Sequence, residues 1–307
     1  MTGNVFYFAW EVALIEAIQK VIDGTFLVNV ASFCTLLGEY FIPAAVMAVI
    51  YWCIDKRFGR FVASTVLVGC VSNPMIKNVF VRRRPYFDNP SIKCLNPVED
   101  GYDIYDIAHQ GFSFPSGHST TGVTGYSSLG VYSKKKILWV IGILFPILIG
   151  CSRFCLGVHY PTDVLVGWLC GSIVIAIIWL MFRYIKNETI IYVIFMVLGL
   201  GGIFYCKTTD YFTCYGLMLG IFTGFIVEQR FVNFDTKCSI LRGVLRVVIG
   251  LALFEGFLLV SKLPFNKEFL ASPTAGAYLV RVCRYAFGGF IVSALYPMSF
   301  NKLFVKK

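Results

Sequence analysis

The chain has 307 residues, of which 57% are hydrophobic and only 14% are charged, and its formal net charge is +10. Because a soluble globular protein carries about 25% charged residues, this composition excludes an ordinary soluble domain and indicates a polytopic membrane protein. The cations fall in short loops and not in a basic domain, which favours a topology signal and contact with anionic lipids over a nucleic-acid partner.

The first 34 residues predict an amphipathic helix that lies at the membrane interface. Apolar residues recur at helical spacing from Val12 to Ile22, and Glu16 and Lys20 are spaced to form an ion pair one turn apart. The N-terminus has no basic segment followed by an apolar run, so we predict no cleavable signal peptide. The alternative is a poor first membrane span interrupted by charges.

Nine apolar segments follow, each close to the ~20 residues that a helix needs to cross a bilayer. They lie at about 35–53, 60–81, 116–132, 137–155, 161–183, 189–206, 211–228, 239–261 and 274–297. The expected fold class is therefore all-α, a polytopic helical bundle of about nine transmembrane helices preceded by the interfacial segment 1–34. We divide the spans into a six-span core, 35–206, and three additional helices in 207–307.

Basic loops orient this bundle. If the chain crosses the membrane nine times, five segments rich in Lys and Arg lie on the same side of it. They are 55–60, 133–136, 183–188, 229–242 and 301–307. The positive-inside bias makes that side, and with it the C-terminus, cytoplasmic. The long polar loop 85–114 then faces outward, and loops of this length are usually functional.

Two polar motifs on the outer side could bind an anion. Lys77 and Arg84 are about two helical turns apart, so we expect them on one face of a helix that Pro85 ends. Ser116 and Gly117 open the third span, where backbone N–H groups at a helix N-terminus favour negative charge.

A third motif adds Arg153, His159 and Asp163, and His118 follows Gly117 directly. Three cations with N–H donors suit the oxygens of phosphate. Two histidines suit a nucleophile and an acid, because their pKa lies near working pH. Asp163 could hold Nδ1 of one imidazole and leave its other nitrogen free to attack. The 11 cysteines show no metal-ligand spacing and no second acidic cluster is available for Mg²⁺, so we expect no metal and no cofactor.

Together the motifs Lys77-x6-Arg84-Pro85, Pro115-Ser116-Gly117-His118 and Ser152-Arg153-x5-His159-x3-Asp163 resemble, in order, three signature blocks of one family. This family is the type 2 phosphatidic acid phosphatases, or lipid phosphate phosphatase superfamily. Three ordered motifs on one side are far more specific than one motif. The resemblance covers about residues 35–205. A shorter, weak likeness of residues 38–57 is to the sphingosine-1-phosphate phosphatase branch.

The resemblance implies a metal-independent phosphoric monoester hydrolase with a two-step mechanism. His159 would be the nucleophile that forms a phosphohistidine, and Asp163 would orient it. His118 would protonate the leaving alcohol and then activate water. The phosphate-binding residues would be Lys77, Arg84, Arg153, Ser116 and Gly117.

We therefore expect an integral phosphatase of the plasma membrane that hydrolyses a lipid phosphate monoester or pyrophosphate on the extracytoplasmic face. Its partners would be this lipid phosphate substrate and the membrane lipids. Alternatives are a lipid phosphotransferase, a soluble phosphate substrate, or a non-hydrolytic lipid-phosphate transporter or receptor. His118, His159 and Asp163 argue against the last, because binding alone needs neither two imidazoles nor an orienting carboxylate.

Other charged residues receive structural interpretations. We interpret His109 as a solvated loop histidine. Arg82 and Arg83 would face away from the phosphate ligands and contact lipid phosphates at the interface. In the last two spans, Glu255 lies at a similar depth to Arg281, so we expect an ion pair there, with Arg284 as the alternative partner.

Overall fold

The computed structural model describes residues 3–300. Helices account for 76% of the chain, and in the described part the only β-type pairing is an isolated bridge between Asn4 and Arg82. The predicted all-α fold class is confirmed. The basic tail 301–307, which we predicted to be cytoplasmic, lies outside the described residues.

Residues 3–300 form fifteen α-helices, some of which are continued by π-helical or 3₁₀ segments. In chain order the α-helices are α1 (Ala9–Ile22), α2 (Phe26–Leu36), α3 (Phe41–Val49), α4 (Lys56–Phe80), α5 (Pro85–Asp88), α6 (Ile107–Gln110), α7 (Gly117–Gly122), α8 (Ser128–Ser133), α9 (Lys136–Cys155), α10 (Pro161–Tyr184), α11 (Glu188–Leu200), α12 (Thr209–Val227), α13 (Ile240–Val260), α14 (Lys267–Ala271) and α15 (Ala275–Phe290). The π-helical segments are Ile50–Ile54, Val123–Ser127, Glu228–Val232 and Ile291–Leu295, and the 3₁₀ segments are Gly201–Phe204 and Tyr296–Ser299.

Five helices in the described part are long and apolar enough to cross a membrane, and a bent pair could count as a sixth span. The five are α9, α10, α13, and α12 and α15 with their continuations; the bent pair joins Phe26–Leu36 to Phe41–Ile54 at 43°. The predicted count of nine is not confirmed. Of the other predicted spans, 60–81 falls on the more polar α4, 116–132 on the interrupted α7 and α8, and 189–206 on the shorter α11.

Helix α1 turns polar side chains inward. Glu11, Ile15 and Gln19 are buried at spacings of one helical turn, while Trp10 and Leu14 are exposed. The predicted pair of Glu16 with Lys20 does not form, because Glu16 accepts a hydrogen bond from Ser91 Oγ at 2.5 Å. The interfacial location of this helix stays a prediction.

Helix α4 ends at Phe80, four residues before Arg84. Val81 adopts a left-handed φ of 47°, which turns the chain out of the helix, and Asn4 exchanges backbone hydrogen bonds with Val81 and Arg83. Pro85 does not end α4 but begins α5, with Arg84 as its N-cap. The prediction that Lys77 and Arg84 share one helix face is therefore wrong.

The chain divides into two compact units. The first contains the segment up to Pro43 together with Ser72–Ile177, and the second contains Ala44–Val71 together with the chain from Ile178 onward. All the predicted site residues belong to the first unit.

The apolar core of the first unit lies behind the turn that carries His159. This cluster joins α1, α5, the loop after α5 and the turn between α9 and α10; its buried members are Ile15, Tyr86, Ile92, Leu156, Val158 and Tyr160. Two of them, Val158 and Tyr160, immediately flank His159 in the sequence. Burial of these neighbours fixes the backbone from which the imidazole projects.

Close packing also fixes α7 against α10. The backbone N–H of Ser116 donates to the carbonyl oxygen of Asp163 at 2.9 Å. A Cβ atom at Gly167 would lie 2.7 Å from the carbonyl oxygen of Ser116, so only glycine allows this approach. The start of α7 and the first turn of α10 are thus held by backbone contacts.

The second unit packs α12 on α15 through small residues. A Cβ atom at Gly216 would lie 2.5 Å from Val282 O, and one at Gly220 would lie 1.9 Å from Ala286 O. Close backbone approach of this kind is typical of helix pairs in membranes, where van der Waals packing replaces the hydrophobic effect.

Buried charges also join helices within the second unit, and we call this set the Arg60 network. Arg60 Nε pairs with Glu188 Oε2 at 2.7 Å, and Arg60 Nη1 lies 3.6 Å from Glu228 Oε2. Lys56 Nζ pairs with Glu228 Oε1 at 2.9 Å. Tyr192 donates its hydroxyl to Glu188 at 2.8 Å.

The expected ion pair of Glu255 does not form in the described residues. Arg281 donates instead to Thr213 Oγ1 and to the carbonyl oxygen of Leu270 at 3.4 and 3.3 Å. Arg284, the alternative partner, donates to the hydroxyl of Ser261 and to a backbone carbonyl. Backbone and hydroxyl oxygens therefore satisfy these guanidinium groups where we expected a carboxylate.

Candidate active site

His159 lies in the turn between α9 and α10, and its side chain is 2% exposed. Its Nδ1 is 3.3 Å from Asp163 Oδ2, and its Nε2 is 3.4 Å from Arg84 Nη1. Because a carboxylate accepts from a ring N–H, the Asp163 contact favours the tautomer with the proton on Nδ1. The lone pair of Nε2 then faces the side of the ring where Arg84 lies.

Asp163 is fully buried and has donors on both carboxylate oxygens. Oδ1 accepts from Arg82 Nη1 at 2.7 Å. Oδ2 accepts from the hydroxyl of Ser113 and from the backbone N–H of Tyr160, the latter at 2.8 Å. These bonds fix the carboxylate before it contacts His159, which is what an orienting residue requires.

Arg82 is the strongest partner of Asp163, and it is 1% exposed. Its other donors reach Glu11 Oε2 at 2.9 Å, Thr162 Oγ1 at 2.8 Å and the carbonyl oxygen of Phe6 at 2.7 Å. All three guanidinium nitrogens therefore have protein acceptors. Arg82 is part of the support of Asp163 and not of the surface.

The prediction that Arg82 and Arg83 contact lipid phosphates is wrong for Arg82, because its charge is buried between two carboxylates. Arg83 is partly exposed and pairs with Asp88 at 2.6 Å. The error follows from the end of α4: beyond Phe80 the chain is not helical, so helix periodicity does not tell where these side chains lie.

Arg84 is held by backbone carbonyls next to the imidazole. Its Nε donates to Gln110 O and Gly111 O at 2.8 and 3.2 Å, and its Nη1 donates to Val158 O at 2.8 Å. Its Nη1 also lies 3.4 Å from His159 Nε2, so these bonds hold a positive charge beside the imidazole.

Arg153 is buried in the last turn of α9. Its Nη1 donates to Thr35 Oγ1 at 3.2 Å, whereas its Nε is buried with no hydrogen-bond partner in the described residues. A buried N–H without an acceptor costs free energy unless a ligand satisfies it. Arg153 thus has an open donor of the kind that a phosphate oxygen would take.

Electrostatics shows that these cations are close to His159. Burial, followed by the charges of Arg84, Arg153 and Lys77, holds the pKa of His159 well below its ordinary value of 6.5. The imidazole is therefore neutral, which is the form that can act as a nucleophile. Lys77, in α4, is itself buried.

Ser116 and Gly117 form the start of α7 as predicted. Ser116 is the N-cap, and its hydroxyl oxygen accepts from the N–H of Ser119 at 3.3 Å and from the Ser119 hydroxyl at 2.9 Å. A Cβ atom at Gly117 would lie 3.3 Å from Asn73 Oδ1. Phosphate contacts by these two residues stay predictions.

His118 follows on α7 and has a carboxylate partner that the sequence did not indicate. Its Nε2 is 3.0 Å from Glu39 Oε1, in the break between α2 and α3. The charges of Arg153 and Lys77 also act on His118, so the two histidines border the same group of cations. No hydrogen bond joins His118 to His159 in residues 3–300.

His109 lies away from this group, in the loop before α7. Its Nδ1 is 2.8 Å from Asp106 Oδ2, and its ring stacks on Tyr102 at a centroid distance of 3.7 Å. The hydrogen bond to His109 lowers the pKa of the Asp106 carboxyl. These contacts agree with a loop histidine.

Comparison with known proteins decides the family. Residues 57–187 match the model of the PAP2 superfamily, and residues 212–307 match the model described as PAP2 superfamily phosphatase, transmembrane extension. The undecaprenyl-diphosphatase BcrC of Bacillus subtilis is 31% identical over 50% of this chain and 74% of its own length. The chain belongs to the PAP2 superfamily. It is an integral membrane phosphatase, as the three motifs predicted.

Other relatives of this PAP2 protein are named for lipid substrates. An undecaprenyl-diphosphatase of Sulfolobus acidocaldarius is 29% identical over 55% of this chain and 76% of its own length. A decaprenylphosphoryl-5-phosphoribose phosphatase of Mycobacterium tuberculosis is 30% identical over 55% of this chain and 88% of its own length. The weak likeness to the sphingosine-1-phosphate phosphatase branch is not confirmed. No solved structure matches the chain.

The PAP2 core and its supporting residues come from different parts of the chain. Sequence reasoning missed Glu11 and Glu39, which precede the matched region 57–187, and it missed the role of Arg82 and Ser113 within it. The one available signal for Glu11 was a carboxylate among apolar residues near the start of a helix that also carries Glu16 and Lys20.

Proposed function

We propose that this PAP2 phosphatase hydrolyses a phosphate monoester or diphosphate carried by a lipid, through a phosphohistidine at His159 and without a metal ion. The observation that carries the proposal is the orientation of His159: Nδ1 contacts Asp163, and Nε2 lies 3.4 Å from Arg84 Nη1. A nucleophile needs both an oriented ring and an electrophile held on its free side.

In the first step, Nε2 of His159 attacks phosphorus while the bond from phosphorus to the lipid oxygen breaks. His118 gives its proton to that oxygen, so the lipid leaves as an alcohol or a shorter phosphate. The phosphorylated ring is cationic, and Asp163 stabilises it through Nδ1–H. Arg84, Arg153 and Lys77 stabilise the negative charge on the equatorial oxygens.

In the second step, water attacks phosphorus and the bond between phosphorus and Nε2 breaks. His118, now neutral, accepts the proton of this water, and inorganic phosphate leaves from a neutral His159. Glu39 Oε1 lies 3.0 Å from His118 Nε2 and can accept a hydrogen bond from that nitrogen while it carries the proton. The carboxylate pairs of the two histidines thus support two roles, an oriented nucleophile and a proton carrier.

We place this reaction on the extracytoplasmic face of the plasma membrane, with the C-terminus in the cytoplasm. The support is the charge of the loops, because Lys134 and Lys135 precede α9 and Lys136 begins it, while His159 follows the other end of the same helix. The positive-inside bias makes the lysine end cytoplasmic.

A lipid substrate is supported by the membrane helices and by the relatives. Two relatives are named undecaprenyl-diphosphatase, so a polyprenyl diphosphate belongs in the substrate panel beside phosphatidic acid and a soluble aryl phosphate. A preference for the lipids over the soluble ester would support the proposal; equal kcat/KM for all three would contradict the lipid assignment.

The test of the mechanism is phosphate release by the purified full chain in detergent with EDTA, combined with trapping of ³²P-labelled protein. We expect activity to persist in EDTA and an acid-labile, base-stable phosphoprotein to form. His159→Gln should abolish both, by about 10⁴-fold or more. His109→Asn is the matched histidine control, and it should leave both unchanged. A label retained in His159→Gln would overturn the nucleophile, and loss of activity in EDTA would overturn the metal-free mechanism.

A further inference from the structure

Glu11 is a fully buried carboxylate on α1, outside the region 57–187 that matches the PAP2 family. A buried charge is costly unless it is paired and hydrogen-bonded. Its position therefore needs an explanation in terms of the groups around it.

Three of the four hydrogen bonds to Glu11 come from the first turn of α10 and from Arg82. Oε1 accepts from the N–H and the hydroxyl of Thr162 at 3.0 and 2.6 Å. Oε2 accepts from Arg82 Nη2 at 2.9 Å and from the N–H of Phe8 at 2.9 Å. Four donors satisfy the carboxylate, and two of them belong to the residue immediately before Asp163.

Arg82 connects this carboxylate to the nucleophile. It lies between Glu11 and Asp163, with N···O distances of 2.9 and 2.7 Å. Its guanidinium group is also packed against the rings of Tyr160 and Phe6, at 4.0 and 4.7 Å from their centroids. The side chain has little freedom to move, so the position of Glu11 is transmitted to Asp163.

The charges give this chain of contacts an electrostatic effect. Glu11, Arg82 and Asp163 together carry one net negative charge next to His159 Nδ1. Without the Glu11 charge, Arg82 would be neutralised by Asp163 alone, and the carboxylate would stabilise a cationic imidazole less. The phosphorylated ring is such a cation, so the rate of its formation should fall.

We propose that Glu11 is a positioning residue of the phosphatase reaction, which acts through Arg82 and Asp163 on His159. This role rests on the proposed function, because it requires His159 to be the nucleophile. It makes α1 part of the catalytic unit, although the family model does not cover that helix.

The alternative is that Glu11 only holds α1 in place, and Gln19 provides the matched control. Gln19 lies on the same face of α1, is also buried, and bonds to the backbone of Lys93 and to Cys155 O. None of its hydrogen bonds within residues 3–300 goes to Arg82. Gln19→Ala therefore weakens the docking of α1 without changing the charge near His159.

The experiment compares kcat, KM and the pH profile of kcat/KM for the wild type, Glu11→Gln, Glu11→Asp and Gln19→Ala. The substrate is the lipid phosphate that the panel selects, and each variant is checked by size-exclusion chromatography. Glu11→Gln should lower kcat by about 10- to 100-fold, as removal of an outer-shell partner does, with KM nearly unchanged. Its acid limb should move to lower pH, because loss of a nearby negative charge lowers the pKa of His159.

Glu11→Asp keeps the charge but withdraws the carboxylate by one methylene. We expect its acid limb to stay at the wild-type pH and its kcat to fall several-fold. Gln19→Ala should keep both the wild-type acid limb and kcat per folded molecule. If Glu11→Gln does not fold, Glu11→Asp carries the test, and a wild-type kcat there overturns the proposal.

Two further results would also overturn it: an acid limb of Glu11→Gln at the wild-type pH, or an equal shift in Gln19→Ala. Trapping separates this failure from failure of the proposed function. If the wild type forms no phosphohistidine, the proposed function is wrong. If the phosphohistidine forms and Glu11→Gln behaves as wild type, only the role of Glu11 is wrong.

Discussion

Each of the two units contains a buried arginine between two carboxylates, and the carboxylates of the two units differ in their other partners. In the first unit, Arg82 joins Glu11 to Asp163, and Asp163 contacts an imidazole. In the Arg60 network of the second unit, the carboxylates are Glu188 and Glu228. Their other partners are hydroxyl, amide and ammonium groups and the guanidinium group of Arg57.

The difference lies in what each network leaves open. Beside the first network, Arg153 Nε has no acceptor among residues 3–300, and His159 Nε2 faces a guanidinium group. The Arg60 network instead connects α4 to α11 and to the Glu228–Val232 segment. Buried charge is therefore a poor indicator of function by itself. A buried charge that contacts a titratable group able to bind a ligand is a better indicator of function.

The largest expected effect comes from removing the last carboxylate of the first network. Asp163→Asn should lower kcat by about 10⁴-fold, because an amide cannot hold the Nδ1–H tautomer in the same way. Single-turnover phosphorylation of His159 measures the step directly. A loss below about 10-fold would mean that Asp163 does not orient the nucleophile.

Breaking the Arg60 network should affect stability and not chemistry. Glu228→Gln removes one partner of a buried pair and should cost about 3–5 kcal/mol, seen as a lower apparent Tm in detergent, with kcat per folded molecule unchanged. Asp23→Asn, in the exposed pair with Lys93, is the control and should cost less than ~1 kcal/mol. A large fall in kcat for Glu228→Gln would remove the distinction between the two networks.

A smaller effect is expected at Glu39, which contacts the second histidine. Glu39→Gln should lower kcat by about 10- to 100-fold, within the range that general acid–base catalysis contributes, because the protonated form of His118 loses its partner. Glu16→Gln, at a half-buried glutamate bonded to Ser91, is the control. The prediction fails if both variants have the wild-type kcat with a lipid whose leaving group is an alcohol.

The smallest effect is a displacement of the pH profile. Since the pKa of His159 is lowered, its neutral form persists at acidic pH, and the acid limb of kcat/KM should lie below pH 6.5. Arg84→Gln removes one of the charges that lower this pKa, so the limb should move to higher pH. Arg83→Gln should not move it, because Arg83 pairs with Asp88. If the acid limb of kcat/KM lay at the same pH in both variants, the explanation of the lowered His159 pKa by the charge of Arg84 would be contradicted.

Local spacing predicted much of the site and little of its support. The i,i+4 relation of His159 and Asp163, the Ser116 N-cap and the membrane helices all follow from patterns within a few residues of sequence. The partners Glu11 and Glu39 come from distant segments, and no periodicity pairs them with Arg82 or His118. Arg82 was misplaced because the helix was assumed to continue to Pro85, whereas Val81 ends it. The predicted count of nine spans is not confirmed. One of the nine, 60–81, falls on α4, whose buried polar side chains include Arg60, Asn73 and Lys77.

The backbone bond from Ser116 N–H to Asp163 O, beside Gly167, has a consequence for how such an enzyme changes its substrate. The helix that carries His118 and the helix that follows His159 are joined by main-chain atoms, which side-chain substitutions elsewhere do not alter. New lipid specificities can therefore arise by exchanging loops and entrance residues around an unchanged catalytic centre. Replacement of Gly167, by contrast, would disturb the contact between these two helices in every such variant, whatever lipid the variant accepts.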